Sequence, residues 1–169
     1  MNLDLREYTE FPASVDLEVE AVNEDYEING IEFVDLMHLM LTIQKVGDEY
    51  LCQGEVLVKT EQECSRCLNP YETDLSGDLN FVLITEKGKS VMARDKGADV
   101  LVFNPAKPVV ELNEVIRQAL MLSIPMKPLC SDDCLGICPN CGINLNEQTC
   151  NCVSEDIDDR WEGLKDLYD

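Results

Sequence analysis

The sequence is short of positive charge. Its 169 residues carry 13 Lys plus Arg against 34 Asp plus Glu, a formal net charge of −21. That balance argues against unaided, non-specific nucleic-acid binding, which needs clustered Lys and Arg. Histidine is almost missing: the one residue is His38, in an apolar-rich stretch where it reads as structural. Ser-His and Cys-His nucleophilic arrangements therefore lack their base. No phosphate loop, dinucleotide fingerprint, internal repeat or Pro-rich linker occurs. Long apolar runs are absent too. The richest, Phe33 to Ile43, is broken by Asp35 and His38, well short of the roughly 18 residues a membrane helix needs. The start lacks a basic region followed by an apolar core, so secretion is not expected. With 45% hydrophobic and 28% charged residues, the chain is nevertheless too apolar for an acidic disordered tail. Its length predicts one domain, burying roughly two-thirds of its unfolded surface.

Cysteine is abundant: nine residues, at 52, 64, 67, 130, 134, 138, 141, 150 and 152. A disulfide scaffold would be shorter and exported, whereas clustered cysteines in a reducing compartment hold metal. The strongest motif is Cys130-x3-Cys134-x3-Cys138-Pro-Asn-Cys141-Gly142, followed by Cys150-x-Cys152. A Cys-x-x-Cys turn brings two thiolates onto one tetrahedral ion, and a following Gly suits the tight knuckle. The earlier pair, Cys64-Ser-Arg-Cys67, could equally be a redox dithiol. Eight clustered cysteines make two four-thiolate sites, with zinc ahead of an iron–sulfur cluster. One natural partition puts Cys138, Cys141, Cys150 and Cys152 in one site and Cys64, Cys67, Cys130 and Cys134 in the other; the spacing admits others. Cys52, within an apolar strand, reads as a buried small hydrophobe.

Alternation of Val15, Leu17, Val19 and Ala21 with acids predicts a strand with one wet, negative face. Leu39, Leu41 and Ile43 alternate likewise, and a turn at 46–49 returns the chain as a strand over 50–59, making a hairpin. A helix over 35–46 is the alternative, because Met and Leu fill both faces. Further strands are expected over 71–85, weakened by Gly77, and over 99–103, short and buried. Leu112, Val115, Ile116, Ala119, Leu120 and Leu122 fit helical spacing, and Pro125 ends the run. Leu68, Leu120 to Leu122 and Leu135 are expected in the core. Past Pro128 the composition turns to Cys, Gly, Asn and Asp, a segment needing metal to order it. A last short helix from about residue 158 would present Trp161, Leu164 and Leu167. The expected fold is α+β: an antiparallel β-rich sheet or partial barrel with one or two helices. Residues 1–128 would form the core domain, with its helix near 111–123, and 129–169 a zinc-binding segment with a short helix packed on it. Between Lys87 and Lys107 lies the one basic island, five bases (Lys87, Lys89, Arg94, Lys96, Lys107) against two acids (Asp95, Asp99). Gly88 and Gly97 bracket it, and its plain reading is a solvated loop.

The stretch Cys64-Ser-Arg-Cys67-Leu68, then Leu122-Ser-Ile-Pro125 and Cys130 through Asn146, resembles the YceD family, the large ribosomal RNA subunit accumulation proteins of bacteria and plastids. Cys150-Asn-Cys152 and Asp158-Asp159-Arg160-Trp161 fit as well, although many members have Pro where Asp159 stands. The resemblance implies a non-enzymatic, cytoplasmic role in accumulating or processing large-subunit ribosomal RNA, with no membrane and no small-molecule substrate. It places zinc with fold stability, because some members lack most of these cysteines. The partners implied are the pre-ribosomal large subunit, its RNA and a basic ribosomal protein. Lys87, Lys89, Arg94 and Lys96, aided by Arg66, are the candidate RNA or partner contacts. The acidic faces would suit a basic protein at least as well. Two competing readings are a metal-dependent redox or hydrolytic enzyme, and a zinc-stabilised acidic interaction module unrelated to ribosomes.

Overall fold

The computed structural model describes residues 1–85 and 99–152. The expected alternation is realised in a six-stranded sheet. Strand β2 (Ala13–Glu20) pairs with β4 (Leu36–Val46), β4 with β5 (Glu49–Glu63), and β5 with β6 (Pro70–Thr85), all antiparallel. The short strand β3 (Ile31–Phe33) continues the line of β4 along β5. The helical alternative for residues 35–46 is excluded: Met37, Leu39, Leu41 and Ile43 are buried on one face while Met40, Thr42 and Gln44 face out. Period two wins because β-strand geometry puts every apolar residue of that set on one side.

Strand β7 (Asp99–Phe103) joins β6 in parallel, not as another hairpin arm. It was expected to be buried, but Val100 and Val102 are exposed; their side chains face outward on an edge strand that has one neighbour in the sheet. A separate two-stranded ribbon pairs β1 (Asn2–Asp4) with β8 (Val109–Glu111), and a single 3-10 turn at Leu5–Glu7 follows β1.

The inner face of the sheet is covered by helix α2 (Asn113–Ser123), which buries Val115, Ile116, Ala119 and Leu120. A four-residue helix, α1 (Asn23–Tyr26), closes one end of the core, where the ring of Tyr26 meets Phe33 edge-on at 5.6 Å. Gly77 does not weaken β6. A Cβ there would lie 2.8 Å from the Ala119 carbonyl carbon, so glycine is what allows the helix to sit against the strand. The α+β expectation therefore holds: strands dominate, with one substantial helix among the described residues. No described helix is long and apolar enough to cross a membrane.

The expected core membership of several leucines is corrected. Leu120 is fully buried, but Leu68, Leu122 and Leu135 are 52%, 88% and 68% exposed, and Met121 is exposed too. One helix face packs on the sheet, and residues 121 and 122 have turned past it; Leu68 and Leu135 sit on tight turns beside the thiols. The segment from 153 onward, with its expected helix and Trp161, lies outside the described residues.

Candidate metal centres

The turn between β5 and β6 is a thiol knuckle. The Cys64 N–H donates to the Asn69 carbonyl at 3.0 Å, and the Leu68 N–H donates back to the Cys64 carbonyl at 2.9 Å. The same pair of bonds recurs at the second motif. There the Cys138 N–H donates to the Ile143 carbonyl and the Gly142 N–H to the Cys138 carbonyl, both at 2.9 Å. Each knuckle needs a left-handed residue just after its second cysteine. Gly142 supplies it at φ 74°, but Leu68 does so at φ 61°, where an L side chain is disfavoured.

The eight clustered thiols form two sets of four. Cys64, Cys67, Cys130 and Cys134 make one pocket; Cys138, Cys141, Cys150 and Cys152 make the other; within each, all sulfurs lie within 4.8 Å of one another. In the first pocket Cys64 and Cys134 are 3.8 Å apart, sulfur to sulfur, and Cys67 and Cys130 are 3.7 Å apart. A disulfide needs about 2.05 Å. A tetrahedron of thiolates at about 2.3 Å from a zinc ion has edges of about 3.8 Å. The sulfur spacing therefore fits a four-thiolate ion, and all nine cysteines are free thiols.

The electrostatics point the same way. Burial pushes the Cys64 thiol up, but backbone N–H groups of Cys67, Cys130 and Arg66 outweigh it and bring the group down to about 6. Backbone N–H groups of Cys141 and Asn140 hold Cys138 down at about 6. Their partners move oppositely. The Cys134 side chain pushes Cys130 up to about 12, and the Cys141 side chain does the same to Cys152. In the first pocket Cys134 is also held down, against burial, by the Asn146 side chain and the Gly136 backbone N–H, while Cys67 is pushed up. In each pocket some thiols ionise easily and a neighbour then resists, the behaviour of like charges confined together. A divalent cation among them removes that resistance.

Sequence reasoning missed the supports of the first pocket. Asn146 donates its side-chain N–H to the Cys134 sulfur at 3.4 Å, while its side-chain oxygen accepts from the Leu135 N–H at 2.7 Å. The run of Asn residues after the knuckle was the available signal. Arg66, expected to reach RNA or a partner, donates to the carbonyls of Cys134 (2.9 Å) and Asp132 (3.2 Å). The Ile137 N–H donates to the Arg66 carbonyl at 3.1 Å. Arg66 is thus bound to the tail it crosses. Lys87, Lys89, Arg94 and Lys96 lie outside the described residues. Cys52 is fully buried in β5, as expected. His38 sits on the outer sheet face, its Nδ1 3.2 Å from Glu18.

A β-sheet protein with a helix on one face and two four-thiol pockets, one shared between a sheet turn and the Cys-rich segment and one within that segment, defines a class: small domains in which cysteines can hold metal as part of the fold. Comparison with known sequences narrows that class. The family model described as large ribosomal RNA subunit accumulation protein YceD matches residues 52–168, and the chain belongs to that family. Uncharacterized proteins of Mycobacterium bovis and Mycobacterium tuberculosis are 28% identical to it over 165 residues, 97% of this chain and 73% of theirs. An uncharacterized protein of Mycobacterium leprae is 26% identical over 141 residues, 83% of this chain and 63% of its own. No solved structure matches the chain.

Proposed function

We propose that this protein is a non-enzymatic ribosome-biogenesis factor that supports the accumulation or processing of large-subunit ribosomal RNA, with two structural zinc ions in its thiol pockets. Membership of the family across residues 52–168 is the observation that carries this reading. The pockets are consistent with it. Four sulfurs around an ion in each pocket would complete a tetrahedral shell and leave no position for a substrate, the arrangement of structural rather than catalytic zinc. Residues 1–128 would then be the folded platform and 129–169 a metal-ordered segment fastened to it.

Two thiolate-bound ions would each add −2, taking the formal charge from −21 to about −25. RNA would be reached either through the island of Lys87, Lys89, Arg94 and Lys96 or through a basic ribosomal protein held on the acidic surface. Tagged purification from its own cells, followed by gradient fractionation, tests the reading. Co-migration with large-subunit precursors, and accumulation of unprocessed precursor RNA on depletion, are expected. Absence from precursor particles together with normal RNA maturation would sink it. Direct RNA contact through so small an island predicts a shallow salt dependence of a few phosphates; a log–log slope near roughly −10 belongs to a large basic interface.

A further inference from the structure

We propose that the open edge of β2 is a docking site for an extended, Lys- or Arg-rich protein segment, which adds to the sheet as a further strand. This goes beyond the ribosomal reading by naming a site, a binding mode and a partner chemistry, and it rests on the sheet alone. β2 pairs with β4 on one side, and no described strand pairs its other side. An unpaired strand of eight residues offers a row of backbone N–H and C=O groups to any chain that can lie alongside it.

The side chains of that edge specify who can pair. Asp16, Glu18 and Glu20 face outward and are exposed, whereas Val15 is buried and Leu17 and Val19 are half-buried on the inner side. The acid character continues inward across the sheet. The register sets Asp16 beside Met40, Met40 beside Glu55 and Glu55 beside Asp78, one row over four strands. A shallow groove of about 460 Å³ runs over that row, with Gly54 in its lining. Glu55 and Asp78 are directly opposite, a like-charge pairing that costs stability and that a cation relieves. Lys59 is the one Lys or Arg on this outer face among the described residues.

A strand added at β2 would alternate its side chains between the two faces. Basic residues would lie over the acids, and apolar ones between them would cover Leu17 and Val19. A second copy of this chain pairing through the same edge would oppose acid to acid, which disfavours self-association. RNA phosphates would meet the same repulsion. The opposite edge, β7, presents Val100 and Val102 outward and lacks the charge that would select a basic segment.

The test uses the full-length, zinc-loaded protein and a synthetic peptide alternating Lys and Val. NMR titration at low salt should show amide shifts and new exchange protection centred on residues 13–20. Methylating the peptide nitrogens on one edge keeps its charge but removes half of its strand donors; the affinity should fall about tenfold or more. The variant Asp16→Asn/Glu18→Gln/Glu20→Gln should lose a similar factor while its melting temperature holds. Equal binding of the methylated peptide, shifts centred away from β2, or dimerisation of the protein through this edge would each overturn the proposal.

Discussion

The first pocket takes Cys64 and Cys67 from the β5–β6 turn and Cys130 and Cys134 from beyond α2; the sulfur pairs span 63 and 70 residues of chain. The second takes all its thiols from the stretch Cys138 to Cys152. Burial follows the same division. Three of four thiols are buried in the first pocket, and one of four in the second. The first is therefore part of the tertiary structure, fastening the tail to the sheet, while the second is a local loop closure. Loop-closure entropy alone favours the longer cross-link by about 1.4 kcal/mol, and burial among the sheet residues adds to it. Two sites with the same knuckle and the same ligands thus do different structural work, because of where their second pair of cysteines comes from.

The largest test removes that distinction at its root. If each pocket holds one ion, as proposed, Cys64→Ser or Cys134→Ser should reduce the bound metal from two ions to one and release the tail. The cost should be about 3 kcal/mol or more, because metal binding here is folding free energy. In a chain of this size that is a fall of about 6 °C or more in melting temperature. Calorimetry with metal analysis on the same sample reads both quantities. Cys141→Ser or Cys150→Ser should likewise lose one zinc, yet move the main melting transition by less than about 3 °C. Hydrogen exchange should then quicken within residues 136–152 and nowhere in the sheet. Equal melting shifts from the two pockets would mean that the second is no appendage.

Cys52 is the internal control, since it belongs to neither pocket. Burial pushes its thiol up to about 12 from an ordinary value near 9. A group whose pKa is raised by folding stabilises below its unfolded value and loses that contribution as pH rises from about 9 through 12. In zinc-free protein near neutral pH, a thiol reagent should label the pocket cysteines and leave Cys52 intact. Labelling of Cys52 should appear with global unfolding or at strongly alkaline pH, and mass spectrometry of peptides distinguishes the two. Rapid native labelling at Cys52 would show that β5 opens locally.

Much of this division was legible in the residues. The β4–β5 hairpin could be read from Leu39, Leu41 and Ile43, because period two is a geometric property of a strand. That there are two four-thiol pockets could be read from counting thiols, but which cysteines share a pocket could not, because spacing admits several partitions. The parallel entry of β7 could not, since a five-residue apolar run looks the same beside either kind of neighbour. Neither could the β1–β8 ribbon, whose Leu3 and Val110 pair across most of the chain. Leu122 and Leu135 misled for one reason: composition reports that a residue is apolar, and not where the packed face of a helix or the inside of a turn ends. What the sequence did not show for Arg66 is its structural partner. Its charge suggested an external anion, while carbonyl partners in the Cys-rich tail carry no sequence signal.

The finest difference between the pockets lies in the residue that closes each knuckle. Gly142 takes its left-handed angle without a side chain to clash, and a Cβ there would touch nothing within 4 Å. Leu68 takes nearly the same angle with a full side chain that is half exposed. A left-handed L residue costs roughly 1–2 kcal/mol, while glycine's extra unfolded-state freedom returns about 1 kcal/mol of that in the opposite direction. Leu68→Gly should therefore stabilise the first pocket by no more than about 1 kcal/mol. Gly142→Ala should destabilise the second by no more than about 1 kcal/mol, since the added strain is partly offset by the lost unfolded-state freedom of glycine and no steric clash adds to it. Zinc competition with a chromogenic chelator should report both, as a slower release from the first pocket and a faster one from the second. If Leu68→Gly instead weakens zinc retention, the leucine side chain itself holds the first knuckle, and the two turns are alike in hydrogen bonding alone.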